Sequence, residues 1–525
     1  MRRRELLVGG ATLAFTGGGV VEAGQALAQQ QRLASSQVLR VAVGVDDIRT
    51  VDPHFSIGVG EQPVTRSVYE GLLLFPDGLI SGEGLRPGLA ERWESSADRK
   101  TWTFHLRRGV EWHHGFGPFT SADVVFSLDR VRGREGGSPF RNTLADIETV
   151  RAPDPHTVEV VLKNADAGFT GLLVDYAAGF IVCKRAIEEG VDLRTRPIGT
   201  GPFRAVEYRP RESFTLERNE GYWGGRPALE RIVVQFMSDA STRELALRGG
   251  ELHAIEIAAR QDAVERMRRA RMQVDLTAPA NMFTLHFNTS MRPFNDIRVR
   301  RALSHATNRD EMLTFLGRDV SQPEFSPLPS GYVGHTADVP RYAFDPERAR
   351  ALLAEAGLGG GVTLNTPVSN NAIYLPPMQV LQEQWKRVGV NIELRVVDHP
   401  TYHRLIRENV APVVIYGAYR YPLTGRLYFD QFYHSSAIVG RPTAITNFSH
   451  FAGADAEIEA ARFETDPEKQ KQLWMTVQRK IMEEAMAVPL FTRAYAMARS
   501  PKLDLGHEQK SWSFYTFSPR TRILA

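Results

Sequence analysis

The sequence predicts an α/β protein made of more than one domain, and three observations carry that prediction. A chain of 525 residues exceeds the roughly 250–300 residues that one hydrophobic core supports, and three or so domains fit the length. Hydrophobic residues make up 42% and charged residues 24%, the proportions of a chain that folds around apolar cores. The third observation is a strand–helix–strand pattern: Val362 to Thr366, an apolar helical stripe, then Ile392 to Val397. Such a unit favours parallel strands joined by a right-handed crossover.

Taken in chain order, residues 1–28 read as an export signal. Arg2, Arg3 and Arg4 precede a moderately apolar stretch, Leu6 to Val21, and Ala26-Leu27-Ala28 supplies a signal-peptidase pattern. Arg3-Arg4-Glu5-Leu6-Leu7 fits a twin-arginine signal, with an ordinary secretory signal as the alternative. Either predicts a periplasmic protein, and no cysteine follows the stretch to carry a lipid. Period-two alternation then predicts strands over Val38–Val45, Trp102–Leu106, Thr157–Leu162 and Ser213–Leu216. Asp345-Pro346-Glu347 starts a helix that Gly357 stops. Met378, Leu381, Trp385 and Val388 form a core stripe at helical spacing, closed by Gly389, and Pro367 ends the strand before it. With the strand Val413–Tyr419, the region 276–488 reads as an α/β domain, whereas the earlier part is richer in strands and turns. Ligands of α/β folds bind beyond the carboxyl ends of strands, which points to the residues just after Val414-Ile415-Tyr416.

Few signs of catalysis accompany this plan. A formal net charge of +3 is too balanced for a dedicated nucleic-acid binder. The single cysteine, Cys183, excludes an internal disulfide framework and a thiolate zinc cluster, and reads as a buried structural thiol. There is no phosphate loop, no H-E-x-x-H helix, no G-x-S-x-G elbow and no dinucleotide fingerprint. His113 and His114, neighbours on an expected strand, would point to opposite faces and not converge on one metal. No cofactor and no metal are therefore expected. The longest candidate span, Phe169 to Cys183, is interrupted by Asp175. The weight moves from enzyme to binding protein, with an exported hydrolase or a sensory receptor as alternatives.

Four segments together carry a resemblance. The first runs from Val51-Asp52-Pro53-His54 to Tyr69-Glu70-Gly71-Leu72. The second spans Gly88-Leu89-Ala90-Glu91-Arg92-Trp93, Thr101 to Val110 and Phe119-Thr120-Ser121-Ala122-Asp123. The third is Gly199-Thr200-Gly201-Pro202-Phe203 with Tyr222-Trp223-Gly224-Gly225, and the fourth Phe287-Asn288-Thr289 with Phe294 to Leu303. In this order they resemble the family 5 solute-binding proteins of ABC importers, which include dipeptide, oligopeptide and nickel binders. The resemblance implies a two-lobed periplasmic binding protein of type II, cluster C-like, with an extra subdomain in the first lobe. It places 29–70, 189–275 and 489–525 in one subdomain of lobe one, 71–188 in the other, and 276–488 in lobe two. It also implies a monomer that closes on a small solute or short peptide and delivers it to the transmembrane subunits of a permease. The motifs themselves are expected to serve turns and helix starts, with Thr120 or Ser121 as an N-cap.

Specificity is expected where the sequence departs from the family. In peptide binders the strand equivalent to Val413–Tyr419 ends in Trp-x-x-Asp, whose Asp pairs with the peptide amine. Here Gly417 holds the tryptophan position and Arg420 the aspartate position. A guanidinium stays protonated and accepts no hydrogen bond, so it fits an oxyanion and repels an ammonium. In the loop Ser56-Ile57-Gly58-Val59-Gly60-Glu61, Ile57 aligns with the pocket glutamate of oligopeptide binders and Val59 with its neighbour. The expected pocket has lost acids and gained a cation, with Ile57, Val59, Tyr416 and Tyr419 along the apolar body of the solute. Arg493 is a candidate second cation, and Asn447 a candidate facing the cleft.

Overall fold

The alternating run at Val38 forms β1 (Val38–Val43), with Leu39, Val41 and Val43 buried. In the computed structural model the described residues are 33–525 except 57, 82–83, 134–136, 175–177, 372, 419, 421–423, 441–445 and 512–514, with the side chains of 59, 142 and 278–280 also left out. The expected export signal therefore lies outside the described residues.

The longer strands that follow are β2 (Ala90–Ser95), β3 (Thr101–Leu106), β4 (Ile147–Asp154), β5 (Thr157–Leu162), β6 (Phe203–Arg209), β7 (Ser213–Arg218), β8 (Arg231–Phe236), β9 (Ala254–Glu256) and the long β10 (Gln273–Phe287). An antiparallel sheet in the order β2-β3-β5-β4 buries Trp102, Phe104 and Leu106 on one face, as a period of two requires. Helix α1 (Ser121–Arg132) lies against β4 and starts with a capping box, the Thr120 N–H donating to Asp123 at 3.0 Å. His113 and His114 sit in a short 3-10 turn rather than on a strand, with rings almost perpendicular and His113 Nε2 held by the Gly201 carbonyl. They still do not converge.

The first and third of the sequence segments meet at one buried carboxylate. Glu70 accepts hydrogen bonds from Thr200 Oγ1 at 2.8 Å, Tyr222 Oη at 2.7 Å and Trp223 Nε1 at 2.9 Å. Burial raises its pKa against the pull of these donors. Gly199 is fixed by close approach: a Cβ there would lie 1.9 Å from the Val68 carbonyl oxygen. These motifs build the first lobe.

In the second half Asp345 caps α2 (Pro346–Glu355), and Gly357 turns the chain at φ +80°. Strand β11 (Val362–Ser369), helix α3 (Leu375–Lys386), strand β12 (Val390–Val397) and helix α4 (His399–Arg407) follow, then β13 (Val413–Ala418) and α5 (Gly425–Phe432). β11 and β12 are parallel, from Val362 opposite Val390 to Ser369 opposite Val397. Pro367 does not end β11, which runs on to Ser369. Among the described residues the strand shares a ladder with β12 alone, and a strand with one free edge tolerates a residue without an N–H. Met378, Leu381 and Trp385 are buried as the stripe required.

Two large apolar cores result, with a smaller third cluster around Ile255, Val264 and Ala498. One gathers side chains from β1 to β9 together with Met497 and Leu503 to Ile523; the other runs from Phe283 to Phe491 and receives Ile80 from the first half. A nine-stranded sheet links them in the order β13-β10-β14-β9-β1-β8-β7-β6, with β14 (Ala487–Arg499) also pairing the short strand Ser321–Pro323. β10 and β14 pass from one core to the other side by side. Their register breaks midway: Thr277 faces Tyr495 and Asn281 faces Arg493, so residues 278–280 oppose Ala494 alone. This irregular point is where a bend between lobes costs least ladder pairing.

Candidate functional site

β13 ends at Ala418, and the residues just beyond it, with the side chains packed around them, form the candidate site. Register relates β13 to its neighbours. Ala418, Met282 and Thr492 lie in one row across β13, β10 and β14. β13 and β14 each run antiparallel to β10, so they share a direction. Arg420 lies two residues past Ala418, beyond the end of β13, whereas Arg493, one past Thr492, lies within β14, which runs on to Arg499.

Arg420 is partly buried and held in place. Its N–H donates to Tyr332 Oη at 2.8 Å, its Nε donates to Gln431 Oε1, and its guanidinium lies 4.7 Å over the Phe432 ring. Phe432 is tilted against Tyr416, whose ring also meets Phe448 at 5.2 Å and the His403 ring edge-on at 5.7 Å. Beneath them His286, fully buried, stacks on Phe432; burial drives its pKa down to about 3. The neutral ring serves as one more aromatic. Gly417 contributes no side chain because none fits: a Cβ would stand 2.7 Å from the Phe283 ring.

Arg493 donates through Nε and Nη2 to the Ala259 carbonyl at 3.1 and 2.7 Å. Burial lowers its pKa, and among the described residues no carboxylate pairs with it. Asn447 does not face open space. It is fully buried, its amide donating to the carbonyls of His434 and Phe451 while its oxygen accepts from Ser449 Oγ and the Phe451 N–H. Its role is to pin that loop. Ile57 and Tyr419 lie outside the described residues, as does the side chain of Val59. Gly58 is required by its neighbour, since a Cβ would lie 2.2 Å from Glu61 Oε2. The loop's acid, Glu61, thus packs against Gly58. Glu61 is buried, accepts the Arg49 N–H, and burial raises its pKa.

Two features escaped the sequence reading. Arg426, at the start of α5, reaches from the second core to the first, bonding Asp146 at 2.8 Å and also Asp166. Burial alone would lower the guanidinium pKa, but Asp166, Asp430 and Asp146 outweigh it and hold it above the ordinary value. Nothing in the local sequence signals this bridge, because its partners lie 260 and 280 residues away. The second is the pair His399 and His403, spaced i, i+4 at the start of α4, a signal the pattern H-P-T-Y-H does contain. Among the described residues no group of three or more His, Cys, Asp or Glu side chains is placed to hold a metal, and no helix is long and apolar enough to cross a membrane.

Comparison with known proteins identifies the family. Residues 84–439 match the family described as bacterial extracellular solute-binding proteins, family 5 middle. The chain is similar to the dipeptide-binding protein of Escherichia coli K12, 31% identical over 366 residues, covering 63% of this chain and 67% of that protein. It is similar to heme-binding protein A of Haemophilus influenzae, 26% identical over 497 residues and 88% of each chain. Among solved structures, the binding protein MoaA of A. tumefaciens R10, in complex with mannopinic acid, is 36% identical with a TM-score of 0.82, covering 94% of this chain and all of that one.

Proposed function

We propose an acidic solute as the cargo of this protein, which belongs to the family 5 bacterial extracellular solute-binding proteins. It is the solute-capturing component of an ABC importer. One observation carries the choice of cargo: Arg420, just past the end of β13, is fixed over an aromatic platform by Tyr332, Gln431 and Phe432. A guanidinium offers paired donors to the two oxygens of a carboxylate. Against an ammonium about 4 Å away it would instead repel by about 4 kcal/mol at an effective dielectric of 20. The solved relative at 36% identity holds a molecule named as an acid, which supports this reading.

In the proposed arrangement Arg420 grips the oxyanion, Arg493 adds the second positive charge, and the apolar body lies along Tyr416, Tyr419, Ile57 and Val59, with Gly58 and Gly417 keeping the approach open. The protein releases its cargo unchanged to the permease. It is exported by its twin-arginine signal and acts as a monomer whose lobes divide near residues 275 and 488.

Calorimetry with mannopinic acid and with a dipeptide amide lacking any acidic group tests the proposal. Arg420→Ala should weaken the acid by about 30-fold or more, the loss of a charged hydrogen-bonded contact of about 2 kcal/mol or above. Full affinity in that variant, or tight binding of the amine-bearing amide, would overturn the assignment.

A further inference from the structure

His399 and His403 do not take part in the anion site, yet they are built like a chelate. Asp398 caps α4 directly after β12, accepting the Thr401 N–H at 2.9 Å, which fixes the first turn. The i, i+4 spacing then brings both rings to one face, with centroids 4.4 Å apart, planes nearly perpendicular and the two Nε2 atoms at 3.1 Å. Ser369 Oγ, at the end of β11, meets the other nitrogen of His399, Nδ1, at 2.9 Å. Nδ1 of His403 is buried without a hydrogen-bond partner, so that ring can act on a ligand only through Nε2.

We propose that His399 and His403 hold a divalent transition-metal ion between their Nε2 atoms, at the carboxyl ends of β11 and β12. The spacing suits the bond lengths. Two nitrogens 3.1 Å apart, each about 2.05 Å from a metal, subtend about 98° at the ion, between the square and tetrahedral angles. Ser369 supplies the outer contact that orients metal-binding imidazoles. With two nitrogens and no carboxylate in the set, the site suits borderline ions, in the order Cu²⁺ above Ni²⁺ and Zn²⁺, and rejects Mg²⁺. Water or oxygen donors of a solute would complete the coordination.

The test needs no cargo, so its failure is distinct from failure of the acidic-solute reading. The metal-stripped full chain is titrated calorimetrically with CuCl₂, NiCl₂, ZnCl₂ and MgCl₂. One Cu²⁺ per chain should bind most tightly, Mg²⁺ should give no signal, and the Cu²⁺ spin-resonance spectrum should show two coordinated nitrogens. His399→Ala and His403→Phe, the latter keeping a ring against Tyr416, should each weaken Cu²⁺ by tenfold or more, and Ser369→Ala by about tenfold. Circular dichroism and metal-free melting confirm that each variant folds. Cu²⁺ affinity unchanged in both histidine variants, or no binding by the parent, would overturn the assignment.

Discussion

Arg426→Ala should open the protein. The side chain is 18% exposed and bridges two carboxylates of the other core, Asp166 at 6% and Asp146 at 33% exposure. Removing it leaves two like charges facing a closed interface, one of them cut off from water. Breaking a fully buried pair costs about 3–5 kcal/mol; hydration still reaches Asp146, which points to the lower end. Because both carboxylates are solvated once the lobes part, the penalty falls on the closed state alone. A loss of about 3 kcal/mol shifts closed against open by about 150-fold. Small-angle scattering of the cargo-free protein should therefore show a larger radius of gyration for the variant than for the parent. Cargo affinity should fall by up to the same factor, since closure must then be driven by the ligand. Asp166→Asn should shift both readouts less, in the same direction. A variant with the scattering profile and affinity of the parent would refute the view that this ion pair holds the lobes together.

Three further outcomes rest on the packing. Glu70→Ala strands the donors of Thr200, Tyr222 and Trp223, so it should lower stability to denaturant by about 3 kcal/mol or more, and Glu70→Gln by clearly less. Gly199→Ala forces a methyl onto the Val68 carbonyl at 1.9 Å and should cost about 3 kcal/mol, seen as a fall in Tm. Burial lowers His54 and His113 to about 4 and His286 to about 3. The unfolded chain then takes up protons that the native state refuses, so stability is full above about pH 6.5 and falls as pH drops towards 4. His286→Phe, which keeps the stack on Phe432, should flatten that decline and be roughly 2–3 kcal/mol more stable than the parent at pH 4.5. An unchanged pH profile would count against neutral burial of His286.

Much of the fold was legible because it is written locally. The alternation at Trp102, Phe104 and Leu106, the Asp345-Pro346 start and the stripe through Trp385 each report one face of one element, and each formed as read. Pro367 misled because a proline's effect depends on whether its strand has neighbours on both sides, which no single segment states. The site divided in the same way. Arg420 stood out by its place after β13, while Asn447, equally polar, proved to be a loop pin with all its hydrogen bonds spent within the protein.

The sequence by itself determined the family, the strand and helix periods, and the place of Arg420 just after the strand Val413–Ala418, since these depend on residue type and spacing along the chain. Only the tertiary structure decided that Glu70 collects three distant donors, that β10 and β14 break register between the cores, and that Arg426 meets Asp146 and Asp166. Each of these joins residues far apart in sequence, and such contacts are selected by the packing of whole elements, where one carboxylate or one guanidinium is buried only because the fold has already closed around it.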